Sequence, residues 1–170
     1  MPGATQLLEK DGRYVNTIAH ALFANILLLV GAPELATPYY LVVNALAGVA
    51  VDLDHIPKLG KAVRTLRFGQ SSRTRWHELQ GLLASMLISM LASLLSPELG
   101  RALLIGAVSH YFLDLATRPT RPLYPLSEST VFLGMAPSSL RGLFAYDTVL
   151  TAAMGVIWIW SLRGLGLLRL

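Results

Sequence analysis

The residues best suited to chemistry in this chain are imidazoles and carboxylates at the ends of apolar runs. Asp52, Asp54 and His55 follow one run almost directly, and His110 and Asp114 stand four residues apart in another. The i, i+4 spacing places an imidazole and a carboxylate on one face of a helix. The candidate metal ligands are His20, Asp52, Asp54, His55, His77, His110 and Asp114.

The types of these residues indicate which ions they could bind. The chain has 170 residues and no cysteine, which excludes thiolate ligands, disulfides and cysteine nucleophiles. Histidine and aspartate ligands without sulfur favour zinc, with manganese or iron as alternatives, and seven candidates suffice for two or three ions. Such a site lowers the pKa of a bound water and holds the oxygens of a phosphoester during displacement. The pattern therefore predicts a metal-dependent hydrolase.

Two further acids are candidate catalytic bases. Glu78 follows His77 at the start of a predicted helix, and Asp147 lies one turn into the last apolar run. Each also has a structural interpretation, because Glu78 suits a helix N-terminus and Asp147 could pair with a neighbouring helix or be a further ligand. The other candidates also have structural alternatives. His20 could be an ordinary buried core residue, and His110 and Asp114 could form a structural hydrogen bond.

The composition determines which elements must position these residues. The chain is 54% hydrophobic and 14% charged, whereas a soluble domain has roughly 45 to 50% and about 25%. This favours a single all-α domain over residues 1–170, a polytopic membrane bundle of about five transmembrane helices. A soluble bundle is the alternative, and a cleaved signal peptide is an alternative for the first run. The predicted helices are Asn16 to Val30, Leu35 to Val51, Leu79 to Leu95, Arg101 to Thr117 and Leu143 to Leu162.

The direction of the helices brings the candidate residues to one side of the membrane. Helices one, three and five begin on the side of the N-terminal tail, and helices two and four end there. Most basic residues fall on this side, whereas Arg101, Arg163 and Arg169 fall on the other. The positive-inside rule makes the tail side cytoplasmic, which predicts a multi-pass inner-membrane protein with its site facing the cytoplasm.

Two connecting segments carry predictions of their own. The stretch from Lys58 to Phe68 has an apolar stripe opposite basic residues, which is typical of a helix on an anionic inner leaflet; a solvated basic loop is the alternative. The stretch from Ser127 to Leu140 contains glycine, proline and several serines, which indicates an irregular or interfacial segment.

The ordered motifs resemble a known family. Asp52-x-Asp54-His55-x-Pro57, then Ser109-His110-x3-Asp114 and a tail from Arg121 to Pro125, are similar to the membrane-bound metal-dependent hydrolases, also described as LexA-binding, inner-membrane-associated hydrolases. That family is similar in ligand pattern to the zinc phospholipase C superfamily. The resemblance implies a helical fold, a multinuclear zinc site and phosphoester cleavage. It implies the seven residues above as ligands, with Asp147 as a further candidate.

The chain departs from the family pattern at one point. The family reads His-Arg-Gly-x-Thr-His-Ser where this chain has residues 72–78, Ser-Arg-Thr-Arg-Trp-His-Glu, so one family histidine is missing. The LexA part of the family description has no counterpart here, because no DNA-reading motif is visible and no specific nucleic-acid binding is expected.

The expected partners are the membrane and a lipid or other phosphoester substrate, since arginines flank the proposed ligands and guanidinium groups bind phosphate oxygens. Setting the membrane topology is an equal explanation for those arginines. A metal-ion or proton transporter is the alternative function, although the opposite halves of the predicted helices hold few ionisable groups. A scaffold with a structural metal is the third possibility.

Overall fold

The described part of the chain folds into five α-helices. The computed structural model describes residues 17–52, 78–117, 119–131, 133–135 and 140–168. We number the helices α1 (Thr17–Gly31), α2 (Pro38–Ala50), α3 (Leu79–Ser93), α4 (Pro97–Thr117) and α5 (Leu140–Gly164). Within these ranges the extended structure is limited to an isolated bridge between Thr120 and Val131. The all-α prediction is confirmed for this part of the chain.

Local capping explains where two helices begin. Ser96 accepts a hydrogen bond from the backbone N–H of Leu99 at 3.1 Å, and Pro97 follows as the first helical residue. This is a favourable N-terminal sequence, and it starts α4 at Pro97 rather than at the predicted Arg101. Likewise α2 begins at Pro38 rather than at Leu35, because residues Pro33–Leu35 form a separate 3-10 turn.

α4 is the central helix of the bundle. It packs against α1, α2 and α3, whereas α5 packs against α1. Glycines permit two of these contacts, because a Cβ on Gly106 would collide with the backbone of Asn44 on α2, and one on Gly100 would collide with Ser93 on α3. The central helix therefore depends on missing side chains for its close approach to both neighbours.

Polar groups are prominent among the largest buried side chains of the bundle. Of the six largest fully buried side chains in the described residues, one is apolar, and the six are Leu28, His20, His110, Asn44, Asp114 and Ser109. Large apolar side chains are exposed instead along α3 and α5, among them Leu83, Leu91, Phe144, Val156 and Trp160. Large apolar side chains on the outside, with polar groups among the largest buried side chains, are unusual for a protein in water.

The described helices divide into two classes by length. Residues Pro97–Thr117 and Phe144–Gly164 form helices that are long and apolar enough to cross a membrane. The helices α1, α2 and α3 are also apolar, but they have 15, 13 and 15 residues. The predicted surface helix from Lys58 to Phe68 lies outside the described residues.

The ends of the bundle are closed by polar contacts. At the end away from His20, Arg101 on α4 forms an ion pair with Glu34 in the 3-10 turn, with Nη2 and Oε1 2.6 Å apart. A hydrogen bond from its own backbone N–H, and then the Arg101 guanidinium, hold the pKa of the Glu34 carboxyl below its usual value. The positive charge of Arg101 is therefore locally compensated.

The segment after α4 turns back onto the helix that precedes it. We call its described residues, 119–131 and 133–135, the return loop. Thr120 and Val131 exchange two backbone hydrogen bonds of 2.8 and 2.7 Å. The N–H groups of Leu133 and Met135 donate to the carbonyls of Leu115 and Ala116 in the last turn of α4. The predicted irregular segment from Ser127 to Leu140 is thus non-helical at its described residues up to 135, and α5 begins at its last residue.

We expect Gly106→Ala to lower the stability of the bundle by about 1 to 3 kcal/mol, the usual cost of overpacking, because the new methyl group would collide with α2. Gly155→Ala on α5 is the matched control, since its Cβ would meet only Leu22 at 4.0 Å. That variant should be neutral or slightly stabilising. Thermal unfolding of both proteins in the same detergent measures the difference, and equal midpoints would contradict the proposed close contact.

Candidate metal site

His20 lies one turn into α1 and is fully buried. Its ring stacks on the ring of His110 from α4, with centroids 4.0 Å apart and planes inclined by 19°. Residues 20 and 110 are far apart in the sequence, so the contact depends on how α1 packs against α4. The stacking places two imidazoles side by side in the interior of the bundle.

Asp114 connects these two histidines. Its Oδ1 lies 3.5 Å from Nε2 of His20, and its Oδ2 lies 3.6 Å from Nε2 of His110. Asp114 is one turn after His110 on the same face of α4, as the i, i+4 spacing predicts. One buried carboxylate therefore directs an oxygen toward the Nε2 atom of each imidazole.

Asp52 adds a second carboxylate from the end of α2. Its Oδ1 lies 3.8 Å from Nε2 of His110, and 16% of its side-chain surface is exposed, so this acid is the most open part of the site. His20, Asp52 and His110 each offer a ligand atom, and these atoms lie within 4.8 Å of one another. Groups from α1, α2 and α4 therefore converge on one small volume.

A backbone carbonyl determines that Nδ1 of His110 carries a hydrogen. Its Nδ1 lies 2.8 Å from the carbonyl oxygen of Gly48 on α2. A carbonyl can only accept a hydrogen bond, so Nδ1 carries the proton and the Nε2 of a neutral ring presents a lone pair toward the two carboxylates. This pattern, in which one ring nitrogen donates to a carbonyl while the other faces carboxylates, is typical of metal-ligating histidines.

Small residues bring α2 close enough to form the site. A Cβ on Gly48 would lie 2.8 Å from Cβ of Ala24 on α1 and 3.4 Å from the carbonyl oxygens of Gly106 and His20. Gly48 therefore touches both neighbouring helices through its backbone. Any larger residue there would push α2 outward and move the carbonyl that holds His110.

The side chains at this site fit a divalent cation. Two carboxylates and two imidazoles lie in the interior, and ionised carboxylates are costly to bury unless positive charge compensates them. Imidazole nitrogen and carboxylate oxygen without sulfur suit zinc, manganese or iron. The described ligand atoms could hold one ion. The predicted count of two or three depends on Asp54, His55 and His77, which lie outside the described residues.

Glu78 is placed in a buried ion pair. Its side chain is 2% exposed, and Arg121 from the return loop donates to Oε1 from Nε at 3.1 Å and from Nη2 at 2.8 Å. The guanidinium carbon also lies 4.6 Å from the centre of the Tyr124 ring. These contacts tie the start of α3 to the return loop, a structural role that sequence reasoning missed. The catalytic role of Glu78 stays a prediction.

Asp147 is the remaining predicted site residue. It lies on α5, is partly buried, and is not among the residues whose ligand atoms converge in the described part of the chain. α5 packs against α1, the helix that carries His20. The role of Asp147 as a base or as a further ligand therefore also stays a prediction.

A second polar contact lies deeper in the bundle. Asn44 on α2 is fully buried and donates from Nδ2 to Oδ1 of Asn25 on α1 at 2.9 Å. Asn25 is five residues after His20, so the pair continues the polar interior away from the site. The signal for this contact in the sequence is the presence of two asparagines within apolar runs. The Gly48 carbonyl had no such signal, because every residue carries one.

Comparisons with known proteins identify one family. A family model described as YdjM inner membrane protein matches residues 15–168, which is nearly the whole chain. The description states a cellular location and does not state an activity. No curated protein matches the chain, and no solved structure matches it.

The Glu78–Arg121 pair can be tested by a double-mutant cycle. We expect Arg121→Gln to cost more stability than Glu78→Gln, because the first leaves a buried carboxylate without its guanidinium, whereas the second leaves a partly exposed cation. Breaking a buried pair costs about 3 to 5 kcal/mol, and the exposure of Arg121 should bring this to roughly 1 to 3 kcal/mol. Thermal unfolding of both variants and the double variant measures the coupling. Additive losses would contradict the pair.

Proposed function

The chain belongs to the YdjM inner membrane protein family, and from that premise we propose that it is a multi-pass, metal-dependent hydrolase of the inner membrane. The proposed site comprises His20, Asp52, His110 and Asp114 and faces the cytoplasm. The proposed reaction is hydrolysis of a phosphoester, either a lipid phosphate or a phosphodiester. One observation carries the metal assignment: buried imidazoles and carboxylates from three helices converge, with the His110 tautomer suited to a ligand.

The exposed apolar side chains of the bundle support membrane embedding. A soluble protein seldom exposes apolar patches larger than a few hundred Å², yet α3 and α5 expose large apolar side chains along much of their length. Two helices have the length and composition of membrane spans. A short 3-10 turn joins α1 and α2 into a helical hairpin. Both helices of the hairpin pack against α4. We propose that all five helices cross the membrane.

The distribution of charge supports a cytoplasmic site. Arg101 is one of the few basic residues predicted to lie on the opposite side, and Glu34 compensates its charge. The site end carries Arg121, and the stretches of sequence before α1 and between α2 and α3 are rich in lysine and arginine. Excess lysine and arginine mark cytoplasmic loops. Asp114 lies three residues before the end of α4, or about 5 Å below it at 1.5 Å per residue, which supports a site just inside the membrane surface.

Each residue has a proposed task. His20, His110, Asp52 and Asp114 would hold the ion, and the partial exposure of Asp52 leaves the approach on its side. The Gly48 carbonyl keeps His110 in the ligating tautomer. When bound, the cation supplies Lewis acidity for a phosphoester and lowers the pKa of water. Asp147 and Glu78 are the candidate groups for accepting the proton.

Arg121 supports an anionic substrate. It lies on the return loop, which begins just after the helix that carries His110 and Asp114, and its side chain is 39% exposed although it is bound to Glu78. The guanidinium therefore combines a fixed position with an accessible surface, which suits phosphate oxygens. The resemblance of the ligand pattern to the zinc phospholipase C superfamily supports the same substrate class.

A metal-ion or proton transporter is the second candidate. The Asn25–Asn44 pair favours it, because it extends the polar interior beyond the site toward the other end of the bundle. However, α1 beyond His20 and the whole of α2 contain no aspartate, glutamate, histidine, lysine or arginine. Transporters place such groups along the route of the ion, so the hydrolase is the better-supported function.

The metal assignment predicts a measurable stoichiometry. Wild-type protein purified with zinc or manganese should retain bound metal, and His110→Gln and Asp114→Asn should weaken binding by at least about tenfold, since even residues behind the ligands contribute that much. Elemental analysis of protein dialysed against metal buffers measures the content. Glu34→Gln is the matched control, because it removes one carboxylate at the opposite end of the bundle. Equal metal content in all four proteins would reject the site.

Hydrolysis separates the enzyme from its alternatives. We expect metal-loaded protein in phospholipid vesicles to cleave a phosphoester from a panel of lipid phosphates, lipid phosphodiesters and soluble nitrophenyl esters. His110→Gln should lose this activity, whereas Glu34→Gln should retain it. Uptake of zinc or manganese into sealed vesicles without cleavage would support the transporter. Tight metal binding with neither cleavage nor uptake would support a scaffold.

A further inference from the structure

The return loop displays large apolar side chains at the cytoplasmic end of the bundle. Five of them, between 39% and 81% exposed, are Leu123, Leu126, Val131, Leu133 and Met135. A loop in water would ordinarily carry polar residues at such positions. The metal site does not account for these side chains, because none of them belongs to the converging ligands.

Backbone hydrogen bonds hold this loop level with the C-terminal end of α4. The N–H of Leu133 donates to the carbonyl of Leu115 at 3.3 Å, and the N–H of Met135 donates to that of Ala116 at 3.2 Å. These carbonyls lie in the last turn of α4, where a helix lacks partners of its own. The loop therefore satisfies backbone groups that would otherwise be costly to place near lipid.

Hydrogen bonds also fix the loop where it leaves the bundle. The exposure of its apolar side chains therefore belongs to a defined loop conformation. Thr120 and Val131 close it with two backbone hydrogen bonds. Arg121 anchors it to Glu78 at the start of α3. The exposed side chains are thus presented by a loop that is attached to the ends of both α3 and α4.

We propose that the return loop is a lipid-docking surface, whose apolar side chains enter the headgroup and upper acyl region of the inner leaflet. The inference rests on the proposed membrane embedding. α4 is long enough to span the bilayer, so a loop hydrogen-bonded to its last turn lies at the level of the membrane surface. Exposed leucine, valine and methionine side chains at that level match the apolar part of an interfacial segment.

The docking has a consequence for the proposed substrate. Arg121 lies on this loop, partly exposed and stacked on Tyr124. A guanidinium beside inserted apolar side chains is placed at the level of lipid phosphates. The substrate class is therefore an amphiphile with an anionic headgroup, which reaches the site from the leaflet rather than from bulk water.

Spin labelling tests the docking, since the chain has no cysteine and one introduced thiol would be its sole labelling site. Leu126→Cys and Leu133→Cys are labelled with a nitroxide and studied in vesicles of phosphatidylethanolamine and phosphatidylglycerol. The ratio of collisions with oxygen to collisions with a water-soluble nickel complex should rise severalfold over that of Glu128→Cys. Glu128 is an exposed carboxylate on the same loop and is the matched control. Thermal unfolding of each labelled protein in detergent checks that the fold is intact.

A fourth label separates failure of this inference from failure of membrane embedding. Val156→Cys lies on the exposed face of α5 and should favour oxygen collisions in any embedded bundle. If it does so while Leu126 and Leu133 match Glu128, or are shielded from both reagents, the loop does not dock on lipid. If Val156 favours the nickel complex as well, the membrane proposal itself is wrong.

Discussion

The arrangement depends on the burial of ionisable groups where α1, α2 and α4 meet. Asp114 faces the Nε2 atoms of both His20 and His110 at 3.5 and 3.6 Å, and Asp52 approaches from the third helix at 3.8 Å. Such a group of charges is unfavourable in a bundle interior unless an ion or protons balance it. Bringing the groups together requires three helices in close contact, and this requirement explains the small residues between them.

The glycines and the exposed apolar side chains are two results of the same requirement. Gly48 and Gly106 remove side chains where α2 meets its neighbours, because a Cβ at either position would press on another helix. Imidazoles, carboxylates and the Asn25–Asn44 pair occupy part of the interior, and many large apolar side chains lie outward along α3 and α5. Lipid is the solvent that suits such an exterior, in agreement with the family to which the chain belongs.

The sequence was sufficient for features that follow from local pattern. Apolar runs predicted the five helices, and the spacing of His110 and Asp114 predicted a shared face. Alternation of helix direction predicted that the ends carrying His20 and Asp52 would meet. The sequence was insufficient to predict contacts between residues that are distant in the chain. Arg121 lies 43 residues after Glu78, and the Gly48 carbonyl lies 62 residues before His110. Such contacts depend on the rotation of each helix, which apolar periodicity specifies only coarsely.

The hydrogen bond between Gly48 and His110 joins the architecture of one helix to the acid–base state of another. Gly48 lies two residues before the end of α2, within the last turn, where carbonyls lack the N–H partner four residues on that the rest of the helix supplies. His110 therefore acts as a C-terminal cap supplied by α4. Extending α2 by another turn would bring a backbone N–H to that oxygen, where it would compete with the imidazole. The position at which α2 ends therefore favours the form of His110 that is protonated on Nδ1.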